Sequence, residues 1–277
     1  MVKLKSLRRA SVEKLISAEN DSPTADVDSI LLSLGFSKSD IIIGEKEITP
    51  KAHENFQNAL ERLLAGEPVQ YIVGGCEFMS LWFKVNSSTL IPRCDTEILV
   101  EQLIEKLNGK AVNILDIGTG SGCIAISLAH YLPKSKVLSV DISGNALKTA
   151  KENALLNKVD SRCNFEKCDI MNQIPNFLPD VIVSNPPYIP SQDIDSLDRK
   201  VKDFEPLSAL IGGGEDGLDF YRRISADMPL SPKGILAFEV GIGQAADVAE
   251  IMSRRFENIE IKKDLSGIDR TVMGNLK

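Results

Sequence analysis

The spacing of apolar residues divides the chain into a helical first part and an alternating second part. In residues 1–75 apolar side chains recur at helical spacing, first at Leu4, Leu7, Val12, Leu15 and Ile16. Pro23 and Pro50 mark helix boundaries. The pattern predicts a small domain of about four or five helices that carries no catalytic group and docks a partner. A purely stabilising cap is the alternative.

Residues 76–95 are predicted to form a β-hairpin linker between two domains. Apolar and polar residues alternate here as they do in strands, and Asn86-Ser87-Ser88 has the composition of the turn. Thr96 is a candidate N-cap for a helix over 97–107 with an acidic first turn.

Residues 96–277 alternate strand and helix patterns, which predicts one domain with a doubly wound sheet. Helices are expected over 123–129, 145–157, 217–228 and 244–255. Strands are expected over 112–117, 137–140, 164–169, 180–184, 235–240, 259–263 and 270–274.

A glycine loop follows the first strand of this domain. It runs from Asp116 through Gly118, Thr119, Gly120, Ser121 and Gly122. Its spacing differs from the G-x-G-x-x-G dinucleotide fingerprint, and the Gly-Lys-Ser/Thr of a phosphate loop is missing. Glycines let a ligand lie against bare backbone at a helix N-terminus. Because 116–129 contains no Lys or Arg, a cationic or zwitterionic nucleoside such as S-adenosylmethionine fits better than a phosphate. The loop alone leaves a dinucleotide open.

Polar residues also end the next three strands. Asp141 is placed to accept hydrogen bonds from both ribose hydroxyls, whereas Asp169 could simply end its strand. After the fourth strand comes Asn185-Pro186-Pro187-Tyr188. Two prolines stiffen the backbone and remove N–H groups. An Asn side-chain oxygen, a carbonyl and an aromatic face then form a rigid acceptor site for an –NH2 group. Since these strand ends meet at one edge of the sheet, we expect a single cleft.

These motifs resemble class I S-adenosylmethionine-dependent methyltransferases that methylate planar –NH2 nitrogens. Further segments narrow the resemblance to the HemK/PrmC family of release factor glutamine methyltransferases. They are 68–74, 90–93, 95–97, 205–206, 213–217, 221–222 and 267–270. Two positions depart from the family pattern: Cys94 replaces a usual proline, and Phe204 replaces a usual tyrosine.

The resemblance implies a Rossmann-like sheet with an antiparallel last strand, and it assigns roles to the motifs. Asp116 and the glycine loop would back the methionine part of S-adenosylmethionine, while Asp169 and Ile170 would border adenine. The Asn185 side-chain oxygen and the Pro186 carbonyl would accept both protons of the –NH2 group, with Pro187 alongside. Tyr188 would pack on the planar group.

The implied substrate is the glutamine of the Gly-Gly-Gln loop in class I peptide release factors. An exocyclic amine of a nucleic-acid base presents a similar group. However, a net charge of −7 and a pI of about 5.1 disfavour a polyanion. A degenerate domain that binds without turnover is the third hypothesis. Arg93 and Glu97 would shape the substrate mouth or form structural pairs.

Composition argues against disulfide-rich, metal-binding and membrane-spanning proteins. Five cysteines without regular spacing, and two distant histidines, favour a reducing compartment and argue against a disulfide framework or a metal site. No apolar run approaches the length of a membrane span. The expected location is the cytoplasm, with no membrane partner.

Overall fold

A computed structural model describes residues 2–277 and contains two compact units. The first comprises residues 2–75 together with Arg199–Phe204, and the second comprises Cys76–Asp198 and Glu205–Lys277. Each unit has its own apolar core. Over residues 2–277, no helix has both the length and the apolar composition that crossing a membrane requires.

The first unit is built from helices around one core. Strand β1 (Val2–Lys3) pairs antiparallel with β2 (Glu47–Ile48). The helices are α1 (Leu4–Ser17), α2 (Pro23–Ser33), α3 (Lys38–Ile43), α4 (Pro50–Leu64) and α5 (Val69–Val73), joined by the later helix α9 (Arg199–Phe204). Fully buried residues from several of them, including Leu4, Leu31 and Phe56, form the core.

Local signals explain two of these helix starts. Ser37 precedes α3 and forms a capping box with Asp40, in which each side chain accepts from the other residue's backbone N–H. Thr49 precedes α4 and accepts from the Ala52 N–H, with Pro50 at the first helical position. Helical content in this part of the chain is therefore confirmed.

The hairpin exists, but its turn lies earlier than we predicted. Strands β3 (Gly75–Phe78) and β4 (Leu81–Lys84) are joined through Met79 and Ser80, which both have positive φ. Positive φ at both central residues is the geometry of a type I′ turn, which usually takes Asn or Gly, so the sequence carried no signal for it. The predicted turn at 86–88 is a separate one that follows the hairpin, in which the Asn86 side chain accepts from the Ser88 N–H.

The helix after the linker starts before the predicted position. Helix α6 spans Cys94–Leu107, with Arg93 as its N-cap. The prediction that Thr96 caps it is wrong, because Thr96 lies inside the first turn and is buried. Cys94 stands at the first helical position, where proline is favoured, which accounts for the family's usual residue there.

The second unit contains the predicted doubly wound sheet, and its fold class is confirmed. Seven strands lie in the order β10-β11-β9-β8-β5-β6-β7. Their bounds are β5 (Asn113–Ile117), β6 (Lys136–Asp141), β7 (Cys163–Lys167), β8 (Val181–Ser184), β9 (Ile235–Glu239), β10 (Phe256–Lys263) and β11 (Asp269–Leu276). Strands β5 to β9 are parallel. The last strand, β11, runs antiparallel to both β9 and β10.

Helices cover the sheet with two separate apolar layers. One core cluster includes residues of α6 and of α7 (Cys123–Tyr131), together with residues of α8 (Gly144–Leu156). The other contains residues of α10 (Asp219–Asp227) and α11 (Ala245–Ser253). The chain order reverses between β5 and β8, so the topological switch point, where such sheets bind ligands, lies between these two strands.

Candidate active site

A cleft opens at the carboxyl ends of the central strands. The cleft and its open mouth together span about 820 Å³. Eight of the predicted residues line it: Gly118, Gly120, Asp141, Asp169, Ile170, Asn185, Pro186 and Pro187. The other five predicted residues, namely Asp116, Thr119, Ser121, Gly122 and Tyr188, do not line it. They lie one or two positions from lining residues in the chain, outside the lining itself.

The glycine loop turns back over the end of β5. The backbone N–H groups of Gly118 and Thr119 both donate to the Val140 carbonyl, which ties the loop to β6. Gly122 has a left-handed φ of 84° at the N-cap of α7. A Cβ there would also lie 2.8 Å from the Ile126 Cδ1 atom. Glycine at this position therefore satisfies both the turn and the packing of α7.

Asp116 lies beneath this loop and is fully buried. Its Oδ2 accepts a 2.5 Å hydrogen bond from the Thr119 hydroxyl, whereas Oδ1 has no partner within residues 2–277. Burial raises the pKa of Asp116 to about 7, against the lowering effect of the Thr119 hydrogen bond. A buried carboxyl with an unused oxygen favours a cation above the loop, since ionisation then gains a partner.

Asp141 joins the end of β6 to the glycine loop. Its Oδ2 accepts from the Gly120 N–H at 2.9 Å, and its Oδ1 accepts from the Ser143 N–H at 2.8 Å. Burial raises the pKa of Asp141 while these backbone hydrogen bonds lower it. Each carboxylate oxygen has a second lone pair. The side chain is thus fixed in position and can still accept from a ligand's hydroxyl groups.

Asp169 and Ile170 form the next part of the wall, two residues beyond the end of β7. The Asp169 carboxylate accepts from the Met171 N–H and from the Asn172 side chain, so it also stabilises its own turn. Ile170 is buried and gives the cleft an apolar surface at this point.

Asn185 follows β8 and lies at the switch point beside the glycine loop. Its backbone oxygen is 4.0 Å from the position that a Cβ on Gly118 would occupy. Its side-chain Nδ2 donates to the Thr96 hydroxyl at 3.3 Å. Tyr188, by contrast, packs against the apolar core of the sheet. Burial raises the pKa of its hydroxyl, as does the neighbouring Glu239 carboxyl.

Two residues distant in the sequence, Gln244 and Gly217, hold the backbone of the Asn185–Tyr188 segment. Neither was connected to it in our sequence analysis. The Gln244 side chain donates to the Tyr188 carbonyl at 2.9 Å. Gly217 lies so close that a Cβ on it would be 2.2 Å from the Tyr188 carbonyl oxygen. Only glycine allows this approach, so Gly217 belongs to the support of the acceptor segment.

Glu239 is the principal residue that our sequence analysis missed. It ends β9, is only 2% exposed, and its Oε2 has no hydrogen-bond partner within residues 2–277. Burial raises its pKa to about 7, while the neighbouring Thr96 hydroxyl, the charge of Arg270 and the Asn185 amide lower it. A polar residue at the end of an apolar strand was the available signal, and it was the same signal that identified Asp141.

Arg93 and Glu97 form structural pairs. Arg93 pairs with the carboxylate of Glu205, which is 5% exposed and also accepts from the Ile91 N–H. Glu97 accepts from the Met79 N–H in the hairpin turn. Residues 2–277 contain no cluster of three or more His, Cys, Asp or Glu arranged to hold a metal ion.

Two family models match the chain. The PrmC N-terminal domain matches residues 6–74, and the methyltransferase small domain matches residues 93–200. Among solved structures, a methyltransferase from Pyrococcus furiosus covers 79% of this chain and 98% of its own, with a TM-score of 0.56 at 16% identity. That similarity supports the fold alone.

Curated relatives are much closer in sequence. The release factor glutamine methyltransferase of Koribacter versatilis is 38% identical over 278 residues, which cover 98% of each chain. That of Thermodesulfovibrio yellowstonii is 39% identical over 246 residues, which cover 87% of this chain and 88% of its own. The chain therefore belongs to the release factor glutamine methyltransferase family.

Proposed function

We propose that this protein transfers a methyl group from S-adenosylmethionine to the side-chain nitrogen (N5) of the glutamine in the Gly-Gly-Gln loop of class I peptide release factors. The observation that carries the proposal is the position of Asn185-Pro186-Pro187 in the same cleft as Gly118, Gly120 and Asp141. A ribose-binding carboxylate and an –NH2 acceptor site share one space.

The residues of the cleft fit S-adenosylmethionine. Gly118 and Gly120 expose bare backbone, and Asp141 holds two carboxylate oxygens ready for the ribose hydroxyls. Asp169 and Ile170 border the adenine. Asp116 places a carboxyl under the loop, where it favours a positively charged methionine moiety. Thr119, Ser121 and Gly122 maintain the shape of the loop.

When bound, the cofactor supplies an electrophilic methyl group on a sulfonium. In a displacement at this methyl group, the glutamine nitrogen would form a bond to the methyl carbon as the carbon–sulfur bond breaks, and the nitrogen would then lose one proton to solvent. Because an amide lone pair is delocalised into its carbonyl, the chain's contribution is to orient the nitrogen and to meet its developing positive charge. The Asn185 side-chain oxygen and the Pro186 carbonyl accept its two N–H groups, and Tyr188 stiffens the segment from the core side.

A protein substrate fits the rest of the chain better than a nucleic acid does. A net charge of −7 opposes the phosphate contacts on which nucleic-acid affinity depends. The first unit carries no part of the cleft, and we assign it the docking of the release factor, with the cytoplasm as the place of action.

The decisive experiment supplies methyl-labelled S-adenosylmethionine with a class I release factor, or with a DNA or RNA oligonucleotide. Label should enter the release factor and be lost when the Gly-Gly-Gln glutamine is replaced by alanine. Label in the oligonucleotide alone would identify a base N-methyltransferase. Cofactor binding without transfer to either would identify a binding domain without turnover.

The docking role needs a separate test. Photo-crosslinking residues introduced at exposed positions of the first unit, Ile16 and Ile42, should form adducts with the release factor. A matched position in the second unit, the exposed Leu155 of α8, provides the background. Adducts no more frequent than this background would leave the first unit as a stabilising cap.

A further inference from the structure

The Asn185 side chain can serve as an acceptor only if its amide is turned the right way. An amide group has an oxygen on one side and an NH2 group on the other. Substrate binding requires the oxygen to face the incoming –NH2 group, so the NH2 of Asn185 must be held from behind. What holds it therefore bears on catalysis.

The groups behind Asn185 come from two other elements. Thr96 in the first turn of α6 accepts from the Asn185 Nδ2 atom at 3.3 Å. Glu239 ends β9 beside Asn185, because the parallel register of β8 and β9 sets Ser184 opposite Phe238. Its buried Oε2 atom has no hydrogen-bond partner within residues 2–277, and the Thr96 and Asn185 side chains lie close enough to lower the pKa of its carboxyl. A hydroxyl has one donor and two acceptor lone pairs, so Thr96 can accept from Asn185 and donate onward to Glu239.

The unpartnered Oε2 of Glu239 is the acceptor available to end such a chain of hydrogen bonds. Its pKa of about 7 leaves the carboxyl ionised above pH 7. There a carboxylate only accepts, so it fixes the direction of every hydrogen bond donated to it. Its side chain is almost fully buried, which protects the arrangement from exchange with solvent. The carboxyl is flanked by Arg270 on β11 and Asp95 on α6, and the Tyr221 hydroxyl donates to its backbone carbonyl at 2.9 Å.

We infer that Glu239, acting with Thr96, is a positioning residue that holds the Asn185 NH2 group away from the cleft and thereby presents the Asn185 oxygen to the substrate nitrogen. This inference rests on the proposed function, since it assigns the acceptor role to Asn185. It adds two residues, from α6 and β9, to the machinery of methyl transfer.

A double-mutant cycle tests the inference. Glu239→Ala should lower kcat roughly 10- to 100-fold, the scale of lost orientation, while the Kd for S-adenosylmethionine changes little. Glu239→Gln keeps an acceptor oxygen and should remain within about threefold of wild type, the scale of one altered hydrogen bond. Because Glu239 acts through Asn185, the double variant Asn185→Ala/Glu239→Ala should be no slower than Asn185→Ala alone.

Three results would overturn the inference. The first is an unchanged kcat in Glu239→Ala, and the second is an equal loss of kcat in Glu239→Gln and Glu239→Ala. The third is a double variant whose loss of kcat is the product of the two single losses, which would mean that Glu239 acts independently of Asn185. If Glu239→Ala does not fold, the isosteric Thr96→Val replaces it in the same cycle, with a loss of about tenfold expected from the broken relay.

The cycle is separable from the proposed function. Its rates are measured with whichever acceptor the wild-type protein methylates, be it a release factor or an oligonucleotide. A wild type that labels only the oligonucleotide refutes the proposed substrate, while the coupling between Glu239 and Asn185 is still measured.

Discussion

The two halves of the active site are assembled in different ways. The glycine-loop half consists of Asp116, residues 118–122, Asp141, Asp169 and Ile170, and the side-chain hydrogen bonds between its members join residues at most 21 positions apart. Thr119 and Asp116 are three positions apart, and Gly120 and Asp141 are 21 apart. The acceptor half consists of Asn185–Tyr188, Thr96 and Glu239. There, Asn185 and Thr96 are 89 positions apart, and Gln244 and Tyr188 are 56 apart.

The two ways of assembly correspond to two tasks, cofactor binding and orientation of the substrate nitrogen. In the proposed function, the glycine-loop half binds the cofactor through backbone groups and carboxylates at the ends of three strands, β5, β6 and β7. The acceptor half must aim one amide oxygen, which requires rigid support from several directions. We therefore expect damage to the first half to weaken cofactor binding, and damage to the second half to slow the methyl transfer.

The largest effect is expected at Asn185. Asn185→Ala should lower kcat on the order of 10²-fold or more because the substrate nitrogen loses its orientation. Steady-state kinetics with labelled cofactor would measure this, and calorimetry should show that cofactor affinity largely survives. Asn275→Ala is the matched control, because within residues 2–277 the Asn275 side chain bonds only the Lys233 carbonyl, at the far end of β11. An equal collapse of cofactor affinity would make Asn185 chiefly a cofactor residue.

The complementary change is Asp141→Ala in the glycine-loop half. Loss of charge-assisted hydrogen bonds to the ribose should raise the Kd for S-adenosylmethionine about 10- to 100-fold. At saturating cofactor, kcat should fall less than about threefold, because orientation of the substrate is untouched. Asp160→Ala, at an exposed turn before β7, provides the control. A loss in kcat without a change in Kd would show that the two halves are not separable in this way.

A smaller effect is expected from the backbone support of the acceptor half. Gly217→Ala places a Cβ 2.2 Å from the Tyr188 carbonyl oxygen. It should lower kcat roughly tenfold by shifting the segment and destabilise the fold by about 2 kcal/mol.

Gly109→Ala is a closely matched control for this strain. Gly109 has φ of 75° against 74° at Gly217, but no atom lies within 4 Å of its Cβ position. The Gly109→Ala variant should lose only about 1 kcal/mol of folding stability, the penalty for a left-handed backbone, and its kcat should be unchanged. Thermal melting and kinetics on both variants would separate the clash from the backbone penalty. Equal behaviour would remove Gly217 from the support of the site.

The last effect concerns the dependence of stability on pH and leaves the rate of methyl transfer nearly unchanged. Burial raises the pKa of Glu239 from 4.5 to about 7, so the folded state binds more protons than the unfolded state between these values. Its contribution to stability is fully present below pH 4.5 and is lost as the pH rises through 7, by about 3 kcal/mol in total.

Glu239→Gln cannot ionise and should therefore flatten the fall in the free energy of unfolding between pH 5 and 8. Denaturant melts of both proteins at several pH values would measure the difference. Arg270, Asp95 and Tyr188 face the carboxyl and remain in both proteins, so they cancel in the comparison. Asp116 also has a pKa of about 7 and leaves a residual slope. Parallel curves for the two proteins would contradict a raised pKa at Glu239.

The sequence carried enough information to predict most of the glycine-loop half. Apolar runs located the strands, and polar residues at their ends identified the edge of the sheet. The bounds of the strands were predicted less well: strand β7 ends at Lys167, two residues before the predicted end at Asp169. The errors occurred where local signals were missing, as at Met79 and Ser80, whose left-handed turn contains neither Asn nor Gly.

Thr96 shows why the acceptor half was harder to predict. A threonine before an acidic, apolar stretch is a good candidate for a helix cap, and we predicted one. In the structure it is buried inside α6 and bonds to Asn185. Capping is a property of nearby residues, whereas this contact exists only because α6 packs beside the ends of β8 and β9.

The sequence by itself determined the order of strands and helices, the ligand-binding edge of the sheet and the chemistry of its two conspicuous motifs. These features depend on periodicity and on neighbouring residues, which are written along the chain. The tertiary structure decided which predicted residues line the cleft and which do not, and it joined Thr96, Glu239 and Gly217 to the acceptor segment. Such contacts unite residues far apart in the chain, so they appear only once the sheet has assembled and its helices have packed.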